Sequence, residues 1–187
     1  MTGEAPRLAL VREIEALPEA LIRDPLTFLF AEHWRHRQFC RALGDVAELA
    51  VAPPRLLRQM AGFLRVDMGL HVEDEEHDLF PLLRAKAEPE DRLDHVLAIL
   101  SADHDMDRVL SRSIAEGLER AAAAGNGPAA DADLAEAIAR FATHQMRHIA
   151  LENAVVLPIA RLRLDVAACA DLSAAMQARR AGRGASG

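Results

Sequence analysis

Two stretches of the chain decide its fold: residues 71–81, HVEDEEHDLFP, and residues 148–158, HIALENAVVLP. Both read H-x3-E-x5-P, and each motif residue of the second lies 77 positions after its counterpart in the first. Residues i and i+4 of an α-helix sit about 40° apart around the axis and one turn apart along it. His71 and Glu75 therefore project from one helix face, as do His148 and Glu152. Each motif follows another helical segment with a histidine near its middle, His33 in the first half and His104 in the second. The chain reads as two helical hairpins of similar design, related by an approximate twofold.

Working outward, cap and turn signals mark four long helices. Asp24-Pro25 places an N-cap residue before a proline at the first helical position, which predicts a helix from Pro25 to about Leu43, stopped by Gly44. A second helix is expected from Pro54 to about His77, reaching Phe80-Pro81, where proline kinks or ends it. Glu88-Pro89 starts a third helix that extends to Ala124, and Gly125-Asn126-Gly127-Pro128 is a loop. Asp131 caps a fourth helix that runs to Pro158. Leu8, Val11 and Ile14 give a short helix between Pro6 and Leu17, and one or two short helices follow Asp165. No stretch alternates cleanly enough for a strand. The expected fold is all-α: an up-down-up-down four-helix bundle with short N- and C-terminal helices. It forms a single domain over residues 1–187, with the four-helix core at 24–161 and a frayed tail at 180–187.

Composition agrees with this reading. The chain has 187 residues, about half of them apolar, with six Phe, one Trp and no Tyr. So few aromatics argue against a sandwich or barrel. Twenty-nine acidic against 22 basic side chains give a formal charge of −7, which makes nucleic acid a poor partner. Cys40 and Cys169 cannot build a disulfide framework or a CxxC site. No basic-then-apolar leader or membrane-length apolar run is seen, so a soluble, cytoplasmic protein without a membrane partner is expected.

The four histidines and two glutamates, expected to point inward from four helices, form a candidate metal site of the kind built in bundle cores. Two octahedral ions need about twelve bonds. Four imidazoles supply four, two bridging carboxylates four more, and an oxo or hydroxo bridge two, leaving roughly two positions for a further ligand and an exogenous molecule. Imidazole with carboxylate suits iron, manganese or zinc. A lone H-x3-E is more often structural; the duplicated spacing is what singles this set out.

Four stretches in order, LTFLFAEH ending at His33, HVEDEEHDLFP from His71, ADH ending at His104 and HIALENAVVLP from His148, resemble the hemerythrin-like, HHE cation-binding family. The resemblance implies a four-helix bundle holding a non-haem di-iron centre, two Fe ions with an oxo or hydroxo bridge. It implies His33, His71, Glu75, His104, His148 and Glu152 as ligands, with Glu75 and Glu152 bridging. Oxygen-carrying members use five histidines and place H-x3-H on the third helix; here Arg108 stands at that position. Asp107, Asp78, His36 and His144 are candidates for a seventh ligand. The implied role is binding or sensing of O2, NO or peroxide; a di-iron peroxidase, oxidase or NO-handling enzyme is the alternative. A metal-free helical adaptor is a third reading. The chain lacks the E-x-x-H of ferritin-like sites and the H-E-x-x-H of zincins.

Other residues carry blander expectations. His77 and His95 are not expected as ligands; His77 lies on another helix face, exposed or in a local salt bridge. Glu73, Asp74, Glu76 and Asp78 form a mostly solvated acidic face, with Asp74 and Asp78 as candidate acceptors for a ligand imidazole. Gly62 and Gly69 mark close helix packing. Met68, Met106, Met146 and Phe141 fill the core near the site, Trp34 packs, and Cys40 is a buried inert thiol.

Overall fold

The computed structural model describes residue 14 and residues 16–184. The described residues are helices and connecting turns, with no strand among them. Long helices pack together as a helical bundle, in the chain order that the cap and turn signals imply. They are α1 (Pro25–Ala47), α2 (Pro54–Arg65), α3 (Asp67–Asp74), α4 (Phe80–Lys86), α5 (Leu93–Ala124), α6 (Ala132–Leu151), α7 (Leu157–Arg163) and α8 (Val166–Gly184). Most of the helix expected at Pro6–Leu17 lies outside the described residues; Ala16, Leu17 and Pro18 are not helical.

The caps are those the sequence implies. Asp24 accepts the Thr27 amide at 3.2 Å, and Asp131 accepts the Leu134 amide at 3.1 Å. Asp165 likewise accepts the Ala168 amide and opens α8. Gly125 sits at φ 72° after α5, and the Asn126 amide reaches back to the Ala121 carbonyl, the left-handed stop that glycine favours.

Several expected boundaries move. Gly44 does not stop α1, which continues to Ala47 because Val46 and Ala47 are buried core residues. Glu88-Pro89 begins a single 3-10 turn, Pro89–Asp91, not α5 itself. Arg92, at φ 50°, separates the turn from α5. Neither Pro81 nor Pro158 ends its helix. Glu75–Leu79 and Glu152–Val156 are wide π turns, in which the Phe80 amide bonds the Glu75 carbonyl and the Leu157 amide bonds the Glu152 carbonyl. Proline clashes with the carbonyl four residues back. A turn with one extra residue takes that carbonyl out of register, so α4 and α7 follow without a break. The tail is also more ordered than expected. The chain is helical through Gly184, and Arg179 and Arg180 are tied into ion pairs; residues 185–187 lie outside the described set.

The chain divides into two compact units, each taking a segment of all four long helical runs. The first includes Trp34–Gly69 and Asp105–Arg147. Its core holds Phe39, Leu43, Leu57, Met60, Ile114, Leu118, Ile138 and Phe141. Met68 and Phe141 belong to this core, whereas Met106 and Trp34 are exposed, contrary to the packing roles expected of them. Cys40 is buried here, and burial followed by the Asp107 charge pushes its thiol up to about 12, which makes it inert. A Cβ at Gly62 or Gly69 would meet no heavy atom within 4 Å, so close packing does not explain either glycine. Gly62→Ala is therefore expected to stabilise the chain by about 1 kcal/mol through helix propensity alone, seen as a higher urea midpoint at unchanged m-value.

The second unit includes Ala16–His33, Leu70–His104 and the described part of His148–Gly187. Leu29, Leu79, Phe80, Leu83, Leu97, Leu100, Val156, Leu157 and Met176 are its fully or almost fully buried core. The six residues singled out as candidate ligands all lie in this unit.

Candidate metal centre

His33 is carried by α1, His71 by α3, His104 by α5 and His148 by α6. Glu75 and Glu152 are the first residues of the two π turns. All six are buried, none more than 4% exposed. Burying six ionisable groups together costs several kcal/mol unless something compensates their charge.

The imidazoles point Nε2 inward. His33 Nε2 lies 3.5 Å from Glu75 and 3.3 Å from Glu152. His71 Nε2 lies 3.5 Å from Glu75, His104 Nε2 3.3 Å from Glu75, and His148 Nε2 3.0 Å from Glu152. The inward atoms fall into two groups of four: His33, His71, Glu75 and Glu152; and Glu75, His104, His148 and Glu152. Within each group the ligand atoms lie within 4.8 Å of one another. Both glutamates belong to both groups.

The outward nitrogens show how the rings are held. His71 Nδ1 meets Glu32 at 3.1 Å and His104 Nδ1 meets Glu76 at 2.7 Å. His148 Nδ1 meets Asp103 at 3.4 Å and His33 Nδ1 meets the Asn153 side-chain oxygen at 2.8 Å. Each acceptor takes the proton side of Nδ1 and turns Nε2 inward, the orientation a metal-binding histidine needs once a cation displaces the Nε2 proton. Phe80 stacks on His104 at 5.8 Å.

The donor set fits metal ions. Four carboxylate oxygens, those of Glu75 and Glu152, are buried without a hydrogen bond from any described residue, as are Nε2 of His33 and His104. Buried polar atoms are ordinarily satisfied, and convergent, unsatisfied imidazole and carboxylate atoms are what cation ligands look like. Without metal the cluster compensates its own charge. Burial alone would raise the Glu75 carboxyl, but the His71 charge and the close approach of His104 and His33 hold it well below the usual range. Burial would lower His71, yet Glu75 and Glu32 carry it to about 9. Burial would likewise lower His104, but Glu75 and Glu76 carry it to about 10.

A raised imidazole stabilises the fold fully below its unfolded value of 6.5, and the contribution fades as pH climbs through 9 to 10. The depressed Glu75 stabilises above its unfolded value of 4.5 and fades as pH falls through its lower folded value. Metal-free protein should therefore melt highest between these two unfolded values and lose stability steadily toward alkaline pH. Metal affinity should rise over that same alkaline range, because binding displaces the protons. Melting curves with and without added cation check both slopes.

None of the four candidates for a seventh ligand joins either group. Asp107, in the first unit, accepts from Gln145 at 2.5 Å and lies 3.1 Å from His144. His36, also there, packs edge-on against Phe63 at 5.7 Å. Asp78 is bound by Arg179 at 2.6 Å. The acidic face departs from expectation too. Asp74 is fully buried and paired with Arg179 and Arg180, and it is Glu76, not Asp74 or Asp78, that holds an imidazole. His77 is exposed, as expected, and so is His95.

Sequence reasoning missed Glu32, Glu76 as an imidazole acceptor, Asp103 and Asn153. A signal was present: each is next in sequence to a candidate ligand, in Glu32-His33, Glu75-Glu76, Asp103-His104 and Glu152-Asn153. Yet each serves a histidine on a different helix.

A helical bundle with two His2Glu2 groups sharing two buried glutamates defines a class of cation-binding protein. A family model for the hemerythrin HHE cation binding domain matches residues 24–160. The chain belongs to that family. A search of the curated proteins finds no match.

Proposed function

We infer that the chain is a cytoplasmic, non-haem di-iron protein that binds or senses a small molecule such as O2, NO or peroxide. The observation that carries this reading is the pair of four-residue groups with Glu75 and Glu152 common to both. His33 and His71 would hold one ion, His104 and His148 the other, and the two glutamates would span both. A bound iron pair supplies redox-active Lewis-acid centres; manganese or zinc satisfies the same donors. The chain's own residues do the rest. Glu32, Glu76, Asp103 and Asn153 orient the rings and keep the proton on Nδ1, and burial keeps bulk water from the centre. No nucleic-acid or membrane partner belongs to this reading; no described helix is long and apolar enough to cross a membrane.

Metal analysis of protein made in iron-sufficient medium, with an optical spectrum in air, tests it. Two iron atoms per chain with near-ultraviolet bridge bands support it. A folded, stable protein that takes up no metal would falsify it.

One observation favours a second reading, a di-iron enzyme. Arg108 replaces the further histidine of the oxygen carriers, so the set has no fifth imidazole, and its exposed side chain pairs with Asp105 at 2.6 Å. A centre with one imidazole fewer would leave a coordination position for a reactant, which suits turnover. Steady consumption of peroxide or NO by the iron-loaded protein would select this reading; a stable adduct without turnover selects the first.

A further inference from the structure

The outward hydrogen bonds form a closed ring. Glu32 on α1 holds His71 on α3; Glu76 in the first π turn holds His104 on α5. Asp103 on α5 holds His148 on α6; Asn153 in the second π turn holds His33 on α1. The ring obeys the internal repeat, since Glu76 and Asn153 are themselves 77 residues apart. The repeat is broken in one chemical respect. At these matched positions the acceptor is a carboxylate on His104, at 2.7 Å, and a neutral amide on His33, at 2.8 Å.

Two further contacts involve these acceptors. Ser101 donates to the second oxygen of Glu76 at 3.0 Å and fixes it against His104. Glu32, the acceptor for His71, shares its charge with Arg180, whose Nη2 lies 3.3 Å away. An anionic acceptor makes an imidazole a stronger donor than an amide does. The His104 and His148 rings thus have two carboxylates behind them, and the His33 and His71 rings have one amide and one carboxylate.

We propose that the two metal positions are inequivalent, and that the Glu76/Asn153 difference makes the His104–His148 position bind its cation more tightly than the His33–His71 position. This rests on the metal-centre reading above. The order of loading is then built into the chain: the first cation settles at His104 and His148, and the His33–His71 position fills last and empties first.

The test is an anaerobic titration of metal-free protein with Co(II) alone, followed by its visible absorption. Repulsion between two cations also splits the binding into steps, so variants must assign each step to a position. Glu76→Gln is expected to weaken the tighter step roughly 10–100-fold. Asn153→Asp is expected to strengthen the weaker step by about tenfold. Both replacements are nearly isosteric, and far-ultraviolet circular dichroism of the metal-free forms checks folding; either variant alone assigns a step. Two cations entering with one affinity, or each variant acting on the opposite step, would overturn the asymmetry while leaving the metal centre standing. No cobalt bound by the folded wild-type protein would overturn the centre itself.

Discussion

Glu75→Gln is expected to strip the protein of both cations, not one. Glu75 belongs to both four-residue groups, with one oxygen near His33 and His71 and the other near His104. A glutamine keeps the shape but offers one oxygen, no charge, and an amide that meets inward-facing lone pairs. The loss at each position should exceed the roughly 10–100-fold that outer partners cost. His148→Gln, by contrast, removes a donor from only one group, and one cation should remain. Metal content after gel filtration separates the two cases. A second readout needs no metal. Glu75 is a leading cause of the raised His71 and His104, so both imidazoles should titrate lower by NMR in metal-free Glu75→Gln.

Replacing both Arg179 and Arg180 by alanine should be the most destabilising change away from the ligands. Asp74 has no exposed surface, and burial pushes its carboxyl up even with both guanidinium groups against it. A buried carboxylate stripped of its partners typically costs about 3–5 kcal/mol. For a chain of this length that is on the order of 10 °C in Tm. Protonation relieves part of the strain, so the loss should be larger at pH 8 than at pH 5. Adding Asp74→Asn to the double variant should recover much of it. Equal losses with and without Asp74→Asn would show that the arginines act through packing, for instance Arg180 over the Phe28 ring at 4.8 Å.

How much of this was legible in the sequence follows from the range of each interaction. The helices and their caps are local: Asp24 and Asp131 act three residues away. The six residues could be singled out, and expected to converge, because H-x3-E is a one-turn relation and the repeat states it twice. The π turns were not found. A proline inside a helical pattern signals a break, and nothing in single-residue propensity distinguishes a break from a turn widened by one residue. The ring of acceptors was missed for a different reason. Glu32 and His71 are 39 positions apart, and Asn153 and His33 are 120 apart, so only packing makes them neighbours. Asp74 was misjudged because its arginines arrive on a helix more than a hundred residues later.

The ring of acceptors also bears on ancestry. Two of its links, Glu32 to His71 and Asp103 to His148, close within a single hairpin, and the other two cross between hairpins. The first hairpin alone contains both kinds of acceptor, Glu32 and Glu76, and both kinds of ligand histidine. Two separate copies of it, meeting about a twofold axis, could complete every link without a residue from the second half. On that view the covalent joining of two halves was not needed to create the centre. A single chain leaves matched positions free to differ, as the carboxylate at 76 and the amide at 153 do.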